Sequence, residues 1–191
     1  MKQSEIIKQL TDQELRKSVV YSQLLFIIIT LLVSFILFDS LTKWTSLVHF
    51  DIKEIVYFGM LPGIIIVVID LIMISILPKK LYDDGGINKR IFSGMSLPNI
   101  FILTLLIAVS EELLFRGVVQ TTFGYIIASL SFAFVHFRYL KKPVLLISIV
   151  FVSFLIGYMY EITGNLLVSI TSHFIVDFLL GLVIRYKIWG D

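Results

Sequence analysis

The sequence predicts an all-α protein, a polytopic transmembrane helical bundle with about six membrane-spanning helices. Three observations carry that prediction. Of 191 residues, 58% are hydrophobic and 16% charged, whereas soluble domains average roughly 45–50% apolar and about 25% charged. The apolar residues come in blocks as long as a bilayer is thick, about 17–25 residues for a helix. The basic residues collect in short loops and at the termini, as positive-inside sorting requires.

Residues 1–18 are polar and charged and read as a cytoplasmic N-terminal segment. No small-residue cleavage site follows the first apolar run, so this opening does not resemble a cleaved signal peptide. A short helix is expected there, with Ile6, Ile7, Leu10 and Leu15 towards the membrane. Segment one, Val19 to Phe38, has no charge before Asp39. Segment two, Ile55 to Leu77, contains Pro62, Gly63 and a lone Asp70. Asp70 reads as a pairing partner or a water-filled notch. The polar stretch Pro78 to Ser96 reads as a loop, and its Lys79–Arg90 part as a solvated face. Segment three, Leu97 to Phe115, ends in Glu111, Glu112 and Arg116. Segments four (Phe123 to Phe137), five (Val144 to Tyr160) and six (Leu166 to Ile184) complete the count. Residues 19–96 thus form two transmembrane helices and a polar loop, and residues 97–186 a unit of four helices. The cationic loops place both termini in the cytoplasm and describe a multi-pass protein of the cell membrane.

Several function classes are excluded at once. The net charge of +2 and the absence of a basic face leave no nucleic-acid partner; membrane lipid is the expected surroundings. With no cysteine, disulfides, thiolate metal sites and cysteine nucleophiles are absent.

What remains is a set of ionisable residues at membrane depth, where charge is costly and usually functional. Glu112 and Arg116 are four apart and share a helical face, so they can pair. Glu111 then points about 100° away and keeps its carboxylate for other work. His173 and Asp177 share a face, and an aspartate can fix the tautomer that an imidazole presents. Phe132 shares a face with His136 and can wall it. Taken singly, each has a plain structural reading: an ion pair, a hydrogen-bonded core histidine, a helix-to-helix brace. Together they put two of the three histidines and a glutamate pair on three separate helices.

The ordered set Glu111-Glu112-x-x-x-Arg116, Phe132-x-x-x-His136 and His173-x-x-x-Asp177 resembles the CAAX prenyl endopeptidases and their bacterial relatives. These are the CPBP, or Abi, family of intramembrane proteases. Gly117, Gln120 and Ser131 add to the match, which spans roughly Leu97 to Ile184. The resemblance implies CAAX-protease-like catalytic helices over residues 97–186. It implies that Glu111 and His136 activate a water to attack a peptide carbonyl, with Glu112 and Arg116 in support. It gives His173 and the residue four beyond it the oxyanion. The family pattern has asparagine where this chain has Asp177. An amide can donate to an oxyanion, whereas an ionised aspartate only accepts. Asp177 then orients His173, acts protonated, or binds a metal. No cofactor is implied with certainty; zinc is the one these residue types admit.

The expected function is therefore an intramembrane endopeptidase of the glutamate type, with metal dependence open, acting on membrane-associated peptides or proteins. The alternative is a non-proteolytic bacteriocin-immunity or membrane binding protein of the same fold. A transporter is disfavoured because no matching Gly/Pro-broken helices recur in two halves. The loop charges put the residues after Arg116 and Glu161 outside, near Glu111 and His173, whereas eukaryotic family members are expected to open to the cytosol.

Overall fold

The structure is a computed structural model describing residues 9–139 and 142–186. It is all-helical, and no strand occurs among the described residues. α1 spans Asp12–Leu37. A capping box starts it: Glu14 N donates to Thr11 Oγ1 at 3.3 Å, and Thr11 N donates to Glu14 Oε2 at 2.7 Å. The helix thus begins inside the segment read as cytoplasmic and runs unbroken through residue 18. Ile6 and Ile7 lie outside the described residues. Leu15 is buried against Ile91, Phe92 and Met95 rather than turned to lipid, and Leu10 packs on the same cluster.

After the short α2, Thr42–Ser46, comes α3, Ile52–Ile76. Asp51 caps it by accepting from Lys53 N and Glu54 N. The polar loop that follows is more than a solvated face. It contains α4, Ile87–Phe92, nucleated by Asp84, whose carboxylate accepts from the backbone of Gly86, Ile87 and Asn88. Arg90 reaches Asp12 at 2.7 Å, and Arg16 donates to the carbonyls of Ile91 and Ser93. The loop is thereby tied to the start of α1.

α5 is Leu97–Glu112, with Ser96 as cap and Pro98 in the first turn. It continues without a break as a π-helical stretch, Leu113–Gln120, and stops near Gly124, whose φ is +88°. α6 is short, Tyr125–Val135. α7 is Pro143–Thr163 and α8 is Leu166–Arg185. Between them Gly164 adopts φ +63° and Asn165 caps α8. Asn165 also donates to His49 O and Glu54 Oε2, pinning the far end of the bundle.

Among the described residues, four helices are long and apolar enough to cross a membrane: α1, α3, α7 and α8. The other two expected spans correspond to α5 with its π-helical continuation and to the 11-residue α6. α8 is the central element and packs against α3, α5 and α7. α1 leans on α5, and α6 on α7.

The packing is that of a protein in lipid. On α1 the buried residues are Leu15, Gln23, Thr30 and Ser34, while Leu24, Leu25, Ile28, Leu31 and Phe35 face outward. Without a hydrophobic drive between helices, small and polar side chains form the contacts and leucines meet the tails. This is a membrane protein.

Candidate active site

Glu111 and Glu112 end α5, where the backbone widens into the π-helical stretch. Such turns shift the residues that follow around the helix and recur at functional sites. Glu112 is fully buried and holds two partners. Its Oε2 lies 3.3 Å from Arg116 Nε, and its Oε1 lies 2.8 Å from His173 Nδ1. Arg116 is also fully buried; it donates to Ser153 O at 3.0 Å and rests on the Phe132 ring, 4.7 Å from its centroid. The i,i+4 pairing expected from the sequence is present.

Glu111 turns the other way. Its Oε1 accepts from Gln23 Nε2 at 3.2 Å. Its Oε2 is buried and has no hydrogen bond. That oxygen stands 4.0 Å from His136 Nε2 and 4.0 Å from His173 Nε2.

His136 follows the last residue of α6 and has left helical geometry, with φ −88° and ψ 34°. Its Nδ1 contacts Phe132 O at 2.8 Å. A carbonyl only accepts, so Nδ1 carries a proton, and in the neutral ring Nε2 is left as a bare acceptor towards Glu111. The rings of Phe132 and His136 lie 4.8 Å apart, so the phenyl does wall the imidazole.

His173 differs from expectation in one respect. The group that holds its Nδ1, and so fixes the orientation of the ring, is Glu112 and not Asp177. Asp177 Oδ2 instead approaches Nε2, at 3.6 Å. The reason is register: α5 crosses α8 where the Glu112 carboxylate enters the hydrogen-bond line of Nδ1. Spacing along one helix carries no information about that crossing. Both His173 nitrogens face carboxylates: Nδ1 is hydrogen-bonded to Glu112, and Nε2 stands 3.6 Å from Asp177 and 4.0 Å from Glu111.

Gln23, Glu111, His136, His173 and Asp177 border one cavity of about 350 Å³. Glu111, Phe132, His136, His173 and Asp177 line its inner part, and Asn88, Arg138 and Tyr139 line it towards the cation-rich loops. Asp70 lines it too and accepts from Ser148 Oγ at 2.8 Å, which fits the reading of a paired residue beside a polar notch. Arg116 and Glu112 sit behind the cavity wall as support.

The donor set does not fit zinc as arranged. Tetrahedral ligands with bonds of about 2.0–2.1 Å stand about 3.3 Å apart, against 4.0 Å here. Among the described residues no group of three His, Asp or Glu side chains is set to hold a metal ion.

Sequence reasoning missed Gln23 and Ser153. Gln23 had a signal: it is the one amide in the span Val19 to Phe38, and a buried amide needs a partner. The backbone carbonyl of Ser153 had none.

The fold and site define a helical membrane protein with a buried glutamate–histidine centre open to one end of the bundle. The sequence model of the family described as type II CAAX prenyl endopeptidase Rce1-like matches residues 93–179. That range contains Glu111, Glu112, Arg116, His136, His173 and Asp177. The chain is 48% identical over 151 residues to a Bacillus subtilis (strain 168) protein described as uncharacterized protein YpbD, covering 78% of this chain and 77% of that one. No solved structure matches. The chain belongs to the Rce1-like family of CAAX-type intramembrane endopeptidases.

Proposed function

We propose that the protein is a glutamate-type endopeptidase of the cell membrane. It hydrolyses peptide bonds of membrane-associated peptides or proteins with water activated by Glu111 and His136. The observation that carries this reading is Glu111 Oε2: buried, free of hydrogen bonds, and 4.0 Å from two histidine nitrogens. A water between Oε2 and His136 Nε2 sits within hydrogen-bond reach of both, since contacts of about 2.8 Å span that gap. Its two protons then have acceptors, and a lone pair is left for the substrate carbonyl.

As the water oxygen bonds the carbonyl carbon, one proton passes to Glu111 and the C=O π electrons move onto oxygen. His173 Nε2–H donates to that oxyanion, with the ring held at Nδ1 by Glu112. Asp177 keeps this proton on Nε2. Collapse of the intermediate breaks the C–N bond, and the leaving amine takes the proton from Glu111. Water is the only co-reactant. We assign the cavity mouth at Asn88, Arg138 and Tyr139 to the cytoplasmic face, because it adjoins the loop carrying Lys79, Lys80, Lys89 and Arg90.

The test is cleavage of a mixed peptide library by purified protein in liposomes, read by mass spectrometry, with and without a chelator. Cleavage is expected to survive chelation. Glu111→Gln should lower turnover by about 10²–10⁴-fold at equal folded protein. Near-normal turnover in that variant sinks the glutamate mechanism. Retention of peptides without cleavage favours the binding-only alternative, and activity restored by zinc after chelation favours a metal.

A further inference from the structure

We propose that Gln23, which lies on α1 outside the family-matched residues, is a positioning residue for Glu111. It holds Oε1 and so commits Oε2 to the two histidines. This rests on the reading of Glu111 as the base.

Gln23 is 5% exposed, between outward-facing Tyr21 and Leu24. A buried amide costs stability unless its donors and acceptor are met. Here both ends are engaged by neighbouring residues of α5. Nε2 donates to Glu111 Oε1 at 3.2 Å, and Oε1 accepts from the Ser110 hydroxyl at 2.6 Å. An ionised carboxylate only accepts, so Glu111 demands the nitrogen end of the amide, and the Ser110 hydroxyl, which also lies 2.7 Å from Leu106 O, meets the oxygen end.

The outer torsion of a glutamate is broad and roughly two-fold, so either oxygen can face the histidines. A fixed donor at Oε1 removes that freedom. The donor's charge matters as well. The guanidinium of Arg116 goes to Glu112, which supports, while the neutral amide goes to Glu111. A guanidinium bonded to Glu111 would add to the opposition that the charged His173 ring, 4.0 Å away, already offers to its taking a proton from water; an amide orients it without adding charge. The adjacent carboxylates thus have separate roles, set by which partner each receives. The other ionisable groups around the pair are Glu112 and Arg116 from α5 and its continuation, His136 after α6, and His173 and Asp177 on α8. Asp70 of α3 lines the same cavity.

Two variants of the full chain test this. Gln23→Leu removes the donor at similar length. It should lower kcat roughly tenfold, the scale of one hydrogen bond to a charged group, with KM nearly unchanged. Gln23→Glu supplies a group that donates only when protonated. Its kcat relative to wild type should fall as pH rises, because the ionised carboxyl cannot donate and repels Glu111. A residue that merely fills space would give a ratio flat in pH. One readout is independent of proteolysis: the infrared carboxyl band of Glu111, isolated as wild type minus Glu111→Gln, should shift in a Gln23→Leu background. If no peptide is cleaved, the endopeptidase reading fails and this band alone decides the positioning. An unshifted band, wild-type kcat in Gln23→Leu, or a flat ratio in Gln23→Glu overturns the proposal. Should Gln23→Leu not fold, the pH series of Gln23→Glu decides it.

Discussion

Glu112 is fully buried and touches Arg116 through one oxygen and His173 through the other. Removing its charge leaves a guanidinium in the interior with no counter-ion. Breaking a buried pair in this way costs roughly 3–5 kcal/mol. Glu112→Gln should therefore accumulate poorly and melt at lower temperature. Turnover per folded molecule should also fall, because the grip on His173 Nδ1 weakens. Thermal unfolding and specific activity measured on the same preparation check both parts. Asp177 behaves differently, being partly exposed and 3.6 Å from His173 Nε2. Asp177→Asn restores the residue of the family pattern, and an amide can donate to the oxyanion directly. Its turnover should stay within about tenfold of wild type; a loss as large as that of Glu111→Gln would mean that the negative charge itself is needed.

The helices place these residues through close contacts that small side chains permit. α3 meets α8 at Gly59 and Gly63. A Cβ on Gly63 would stand 2.9 Å from Ser172 O, and one on Gly59 3.0 Å from Val168 O. Both neighbours are backbone atoms of the helix that carries His173, so neither can yield without moving α8. Gly63→Val should destabilise the protein by about 1–3 kcal/mol, the usual scale of overpacking. It should also cut turnover by displacing His173 from Glu111. A variant with unchanged melting and activity would show that α3 is free to shift. At the other side of the site, the π-helical stretch 113–120 brings Arg116 to Ser153 O and Gln120 to Gly157 O. The sequence pattern ends this helix at Phe115 and leaves Arg116–Thr122 as a loop; the structure carries the helix on to Phe123 through a wider π turn, which the apolar pattern does not distinguish.

At the scale of the molecule, the direction the cavity faces decides which side of the membrane supplies substrate. The sequence set two arguments against each other: loop charge placed the residues after Arg116 outside, while the expected family opening was cytosolic. The proposed cytoplasmic mouth would reconcile them. Glu111 and His173 are deep in the bundle, and the cavity runs from them towards Asn88 and Arg138, at the end where the cations collect. The chain has no cysteine, so single-cysteine variants report cleanly. Lys89→Cys should react with a membrane-impermeant maleimide only after the cytoplasmic face is exposed. Thr122→Cys should react from the opposite side. Reversed labelling would invert the topology and the assigned opening.

The all-helical class, four of the spans, and the i,i+4 pairs Glu112–Arg116 and His173–Asp177 were legible in the chain, because they rest on composition and the 3.6-residue repeat. The motif residues were legible too, since an ionisable side chain at membrane depth must be paired or put to use. Other features came only from tertiary packing. Glu112 rather than Asp177 holds His173 Nδ1, Gln23 from a helix without a motif holds Glu111 Oε1, and Leu15 turns inward to the polar loop. Each depends on where two distant helices cross and at what rotation. That geometry comes from the fit of small residues and the need to satisfy buried polar atoms across the whole bundle, which no periodicity within one helix encodes.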